Sequence, residues 1–355
     1  SLVWSRGYQS KREITQKTTH YTTVIACVKA GGYELECTPE HRLFTIGASG
    51  IEEISAAELQ PGQYVAGIKK ISQQSKYYYS LKLWRLLGYI CGGGHVSLRR
   101  HGVLITDKNI NHLEFYQKII EEEFNKTAFI SPSEFSQSFT LMCYHMPLVR
   151  LCQKLALTAK SINRRVPIEL FGASEAAVAA FLAGFYDAEG NSGGDPKMFS
   201  ANKQLLKDIQ MLLLRLGVDA HLYERSRTVI LPGKNDVLAH KIYWLQILYL
   251  PDQVNFKNTV PTLKTFSLSP RFVGEKLPIG PLLESLVTDA RLINKYLSSR
   301  RKDQQTLKYP GRYTSGTIIP TKQTAMRFYH RFKRMGFGAD SSVKMLRRLA
   351  SSNNQ

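Results

Sequence analysis

The chain has 355 residues, with 48 Lys and Arg against 28 Asp and Glu, a formal charge of +20 and a pI near 9.7. Its 43% hydrophobic and 10% aromatic residues exclude wholesale disorder. No apolar run reaches the ~20 residues that span a bilayer, and residues 1–12 lack the basic-then-apolar order of a signal peptide, so a soluble, cytoplasmic protein with no membrane partner is expected.

In chain order, the first seventy residues read as β structure. Thr22 to Val28 and Tyr33 to Cys37 alternate apolar and polar residues around a Gly31-Gly32 turn, and Glu58 to Val65 adds a second turn and strand. After Tyr77 the period changes. Leu83, Leu86, Leu87 and Ile90 recur at helical spacing, and Gly92-Gly93-Gly94 ends the helix. The five cysteines, Cys27, Cys37, Cys91, Cys143 and Cys152, include no CxxC pair and give no support to a disulfide framework or a structural zinc site; they read as small core residues.

The middle of the chain repeats. Leu86 to Gly94 aligns with Leu182 to Gly190 at an offset of 96 positions, and Arg164-Arg165-Val166-Pro167 and Lys257-Asn258-Thr259-Val260-Pro261 close the two units. Each unit reads as helix, strands, helix, strands and helix, and two in tandem predict one pseudo-twofold domain in a monomer. Ala183, Gly184 and Ala188 fall about one turn apart, which lets two helix backbones approach closely. Glu189 stands at a helix C-terminus, where the dipole disfavours a carboxylate unless a cation is near. A divalent metal between two such acids would supply that cation and activate water against a phosphodiester; an ordinary solvated Glu before a helix-ending glycine is the other reading.

With its duplicate, this pattern resembles the LAGLIDADG homing endonucleases over about Tyr77 to Thr262. The resemblance implies tandem αββαββα units, a saddle of antiparallel strands in the major groove of duplex DNA, and Mg²⁺-dependent cleavage of both strands. The eighth motif residue, the family's metal-binding acid, falls on Glu189 in one copy and on Gly93 in the other. A glycine offers no carboxylate, so binding with weak cleavage, nicking or no cleavage is expected. Asp187 lies two residues before Glu189 and points away from it on a helix. The family's basic residue near each centre would be Arg164 or Arg165 and Lys257, which suit charge on a phosphate but read equally as surface bases before a turn. His95, Ser97, Arg99, Arg100 and His101, taken as strand residues after the first motif, are candidates for DNA contact, to bases or to phosphates.

Near the N-terminus, Cys37-Thr38-Pro39-Glu40-His41 with Glu58 to Val65 is similar to the Thr-x-x-His block of inteins and related Hint-type autoprocessing domains. That resemblance covers about residues 1–70 and implies that Thr38 and His41 polarise a splice-junction peptide bond for an acyl shift, with host exteins as partners. Ser1-Leu2-Val3 reads as a start a few residues past the splice-site nucleophile. The end, Asn353-Asn354-Gln355, lacks His-Asn, so splicing by the chain as written is not expected.

The tail concentrates the charge. From Arg291 onward there are 15 Lys and Arg against 2 acids, including Arg300-Arg301-Lys302, Arg331, Lys333 and Arg334. Such a bias favours nucleic-acid contact over a solvated face, though a connector to further strands is the alternative for the region. The expected architecture is α+β: a β-rich Hint-type segment at 1–76, LAGLIDADG repeats at 77–167 and 168–264, and a basic helical region at 265–355.

Overall fold

A computed structural model describes residues 2–5, 8–13, 24–30, 32–47, 50–71, 79–133, 137–230, 237–269, 280, 282–283, 286 and 321–351. Six strands come first: β1 (Leu2–Ser5), β2 (Tyr8–Glu13), β3 (Ala26–Ala30), β4 (Tyr33–Cys37), β5 (Arg42–Gly47) and β6 (Gly50–Ser55). Then follow α1 (Leu81–Gly93), β7 (His95–Ser97), β8 (Gly102–Asp107), α2 (Ile110–Phe124), β9 (Phe129–Pro132), β10 (Phe139–Tyr144) and α3 (Met146–Lys154). A second series has α4 (Glu175–Glu189), β11 (Lys197–Ser200), α5 (Lys203–Arg215), β12 (His221–Ile230), β13 (Val237–Gln246) and α6 (Leu250–Thr259). Two C-terminal helices, α7 (Lys322–Phe332) and α8 (Ser341–Ser351), complete the order. The chain forms two compact units: residues 1–30, 34–67 and 274–355 in one, and residues 31–33 and 68–273 in the other.

The larger unit is built on α1 and α4. Both helices start with the same device, a serine in extended conformation whose side chain accepts the third helical N–H: Ser80 from Leu83 at 3.0 Å and Ser174 from Ala177 at 3.2 Å. Both stop at an extended glycine, Gly94 or Gly190. Between these ends α4 is apolar on every face and buried from Ala177 to Asp187, as a helix at the centre of a core must be. The two helices touch backbone to backbone. A Cβ on Gly88 would fall well inside 3.0 Å of the Phe181 carbonyl oxygen, and one on Gly184 equally close to that of Arg85. The repeat spacing of small residues is therefore what seats one helix on the other, and Trp84 meets Phe181 edge-on at 6.3 Å beside them.

One antiparallel sheet belongs to each repeat. The first has the order β7-β8-β10-β9 and the second β11-β13-β12. Val103, Ile105, Leu141 and Cys143 face the core in the first sheet, and Met198 and Leu245 in the second. Cross-strand rows on the opposite faces are Leu104–Met142–Phe129 with Thr106–Thr140–Ser131, and Phe199–Trp244–Tyr223 with Lys197–Gln246–His221.

The repeats are not identical. Where the first has β7, the second has only a bridge between Gly190 and Met198. Asn191 causes this: its amide donates to the Asp195 carbonyl at 2.9 Å and its oxygen accepts from the Lys197 N–H at 2.7 Å. Gly193 and Gly194, at φ +76° and +66°, complete the tight loop. A second departure concerns the residues taken as strand. Only His95 and Ser97 lie on β7, whereas Arg99, Arg100 and His101 form the turn into β8, with His101 at φ +51°.

In the smaller unit β1-β2, β3-β4 and β5-β6 are three separate two-stranded pairs. Helices α7 and α8 share a core of Ala325, Phe328, Phe332, Val343 and Leu346 with Leu282, Leu283 and Leu286. The C-terminal helices thus belong to the same compact unit as the N-terminal strands. Ser1, Arg300, Arg301, Lys302 and Asn353 to Gln355 lie outside the described residues.

Candidate active site

The ends of α1 and α4 meet. A Cβ on Gly93 would lie 3.5 Å from the Ala188 Cβ and 3.8 Å from Glu189 Oε1, ordinary contact distances, and Gly93 itself is exposed. The pseudo-twofold therefore brings the two motif positions face to face, with a carboxylate on one side and open space on the other.

Two basic residues hold this arrangement, each at one helix end. Arg164 is 4% exposed, and its Nη1 donates to the carbonyls of Ile90 at 2.8 Å, Cys91 at 3.1 Å and Gly94 at 3.0 Å. Ile90 and Cys91 lie in the last turn of α1, where Ile90 also accepts the Gly94 N–H at 3.0 Å, and Gly94 is the cap. At the other end Lys264 Nζ donates to the carbonyls of Ala188 at 3.1 Å and Gly190 at 2.9 Å. Lys264 is the residue at this centre that the sequence reading missed. It sits three residues beyond Val260-Pro261, and only the return of the chain past α4 brings it there. Lys257, the residue singled out instead, is exposed on α6.

The cation that Glu189 requires is thus a pair of side chains. Burial pushes the Glu189 carboxyl above its ordinary range, while Lys264 and Arg164 oppose that shift. Burial likewise lowers the Lys264 ammonium, with Asp107, Glu189 and Asp187 acting against it. A carboxyl raised on folding binds its proton more readily in the folded state, so stability falls as pH rises from the unfolded value of 4.5 through the folded one. Glu189→Gln is accordingly expected to raise the melting temperature at pH 7 and to flatten its decline between pH 4 and 7, checked by melts across that range.

The remaining candidates fall into place around this centre. Arg165 is not aimed at it: its guanidinium grips Asp208 on α5 through Nε at 2.5 Å and Nη2 at 2.8 Å. Asp187 is fully buried and accepts from Arg85 at 2.8 Å, Tyr116 at 2.7 Å and the Leu263 N–H at 2.6 Å. That last bond pins the segment carrying Lys264, so Asp187 is a positioning residue. An open cleft of about 770 Å³ runs beside the centre, lined by Tyr89, Asp107, His112, Ser192 and Lys264 among others. Arg164→Met removes the side-chain donor from three carbonyls at the end of α1, of which Ile90 keeps the Gly94 N–H, and is expected to cost about 2–4 kcal/mol, measurable by urea denaturation.

The residues present do not fit a divalent metal. Glu189 is the one carboxylate facing position 93, two cations stand beside it, and among the described residues no group of three or more His, Cys, Asp or Glu is placed to hold an ion.

Elsewhere, His95 is exposed and Ser97 half-buried on β7, with the Ser97 hydroxyl accepting the Arg100 N–H at 3.1 Å. Lys333 and Arg334 are exposed, but Arg331 is 9% exposed and turned into the α7–α8 core, because it shares the helix face of Phe328 and Phe332. Thr38 and His41 are both exposed in the turn from β4 to β5, where the His41 N–H donates to the Thr38 carbonyl at 3.0 Å.

Residues 176–251 match the family model of the LAGLIDADG-like domain, so that the mixed α+β unit from α4 to β13 is LAGLIDADG-like. Among curated proteins the chain is similar to the replicative DNA helicase DnaB of Synechocystis, 26% identical over 220 residues, which cover 55% of this chain and 24% of that protein. It is also similar to a probable translation initiation factor of Methanocaldococcus jannaschii, 24% identical over 196 residues, 53% of this chain and 16% of that one. The chain therefore spans a quarter or less of the length of these relatives. Among solved structures it is similar to the homing endonuclease I-DmoI in complex with DNA and Ca, at 20% identity and a TM-score of 0.37, covering 54% of this chain and 94% of that one. 

Proposed function

We propose that the larger unit binds a long, specific duplex DNA site across its two sheets, as a LAGLIDADG homing endonuclease whose cleavage is impaired. The observation that carries this reading is the meeting of Glu189 with Gly93 at the ends of the paired helices. With Glu189 on one side and no side chain on the other, the paired helix ends offer a divalent ion one carboxylate where two would hold it. Binding without double-strand cleavage is the result expected when duplexes selected from a randomised pool are incubated with the chain and Mg²⁺. Rapid cutting of both strands would overturn the impairment, and a pool with no enriched duplex would overturn DNA binding itself.

The C-terminal helices extend the contact. Neither α7 nor α8 contains an acid, and α8 exposes Lys344 and Arg348 on the side away from buried Val343 and Leu346, while exposed Arg347 stands over the Tyr329 ring. A helix of one sign repels itself and is eased by a polyanion. Replacing Lys344 and Arg348 together by Ala is expected to reduce the slope of log affinity against log salt by about 1.8, at ~0.9 per phosphate contact.

One observation favours a second role for the smaller unit. The relatives named above, a helicase and an initiation factor, share no activity in their names, yet each carries a matching stretch amounting to a quarter or less of its length. A segment common to unrelated proteins is what an inserted element leaves, and we infer an intein origin, with Thr38 and His41 as the residues of a former or present splicing site. The coding context tests it: a reading frame that lies in frame inside a host protein supports the reading, and a free-standing frame opposes it.

A further inference from the structure

The faces of the two sheets turned away from the core carry an unexpected composition. An open antiparallel sheet ordinarily alternates apolar residues inward with polar ones outward. Here Met198 and Leu245 are fully buried on the core side of the second sheet, and Leu222 and Tyr243 pack against that core. The opposite face nonetheless presents Phe199, Trp244 and Tyr223 in one row across three strands. Tyr223 and Trp244 stack with ring centroids 5.4 Å apart and planes at 20°, and Tyr223 is 36% exposed. The first sheet repeats the pattern with Leu104, Met142 and Phe129, the last 59% exposed.

Asp195 and Asp219 border the row Lys197–Gln246–His221, against Gln246 at 3.3 Å and His221 at 3.4 Å. On the other side of the aromatic row the next pair is exposed Arg225 opposite Ile242, so that exposed rings stand beside a cation, as a surface for a polyanion with apolar edges requires. Three strands span about 10 Å, a close match to the ~12 Å width of the major groove. Within that groove the one apolar feature is the C5-methyl of thymine, and the apolar surface of aliphatic and aromatic side chains distinguishes bases by covering it.

Resting on the duplex-binding reading above, we propose that the two rows are thymine readers: Phe199, Trp244 and Tyr223 cover methyl groups in one half-site, and Leu104, Met142 and Phe129 in the other. The duplex preferred by this chain carries A·T pairs beneath each row, and its affinity comes in part from methyl burial, with Lys197 and Arg225 serving the phosphates alongside.

The test needs no variant at its first step. Duplexes are selected by the full chain from a randomised pool in EDTA, and each thymine of the selected site is then replaced by deoxyuridine, which keeps the pairing and removes the methyl. Enrichment of A·T pairs at two positions related by the pseudo-twofold is expected, with each deoxyuridine there weakening binding about fourfold, the effect of one buried methyl. Trp244→Ala and Phe129→Ala are expected to bind thymine and deoxyuridine duplexes equally, and the Phe129 side chain is exposed enough for its loss to leave the fold intact. A selected site without A·T enrichment, or affinities unchanged by deoxyuridine, would overturn the inference while leaving DNA binding standing. Failure to select any duplex would overturn DNA binding first, and the inference with it.

Discussion

Gly93→Asp is expected to confer Mg²⁺-dependent strand cleavage on the selected duplex, which the wild-type chain is expected to bind without cutting both strands. The new Cβ meets Ala188 and Glu189 at 3.5 and 3.8 Å, so that the side chain enters without displacing either helix. It adds a second carboxylate beside Glu189, the group a divalent ion lacks at position 93. Restoring one electrostatic group at a reacting phosphate is worth about 10²–10³ in rate, which sets the size of the expected gain on the selected duplex. Gly93→Asn, of the same shape without the charge, should stay inactive. Equal cutting by the wild-type chain and by Gly93→Asp would remove any catalytic meaning from position 93.

The second large effect concerns the helix contact. Gly88→Ala or Gly184→Ala places a methyl where a carbonyl oxygen of the facing helix already lies. Alanine improves helix propensity by about 1 kcal/mol, yet backbone cannot yield as a flexible side chain can. Parting α1 from α4 is expected to cost about 3–5 kcal/mol net, a fall in melting temperature of roughly 10 °C. Gly93→Ala is the control, since its Cβ meets only ordinary contacts. If Gly184→Ala melts with that control, the close packing inferred for the pair is wrong.

The core of the larger unit was legible because its signals are local and periodic. The apolar spacing around Leu83 to Ile90, the small residues around Gly184 and the repeat offset all survive as α1, α4 and their contact. What was not legible depends on tertiary approach. Arg164 looked like a base for a phosphate, whereas its position beneath α1 turns it onto three carbonyls. Lys264 carries no motif and is found only where Asp187 binds the Leu263 N–H. Arg331 was read from charge alone, but its phase along α7 places it with Phe328 and Phe332. The loss of a strand after α4 could have been suspected from Asn191-Ser192-Gly193-Gly194, a run of turn residues where the first copy has His95-Val96-Ser97.

The helix pair also bears on how the chain is made. Gly88 and Gly184 stand 96 positions apart, so a ribosome adding about 5–20 residues per second exposes α1 for roughly 5–20 s before its partner exists. Throughout that interval Trp84, Leu86, Leu87 and Ile90, all fully buried in the finished fold, have no α4 to cover them. The nascent first repeat is therefore a natural client for chaperones, and slowing synthesis between the repeats should raise its aggregation rather than its yield.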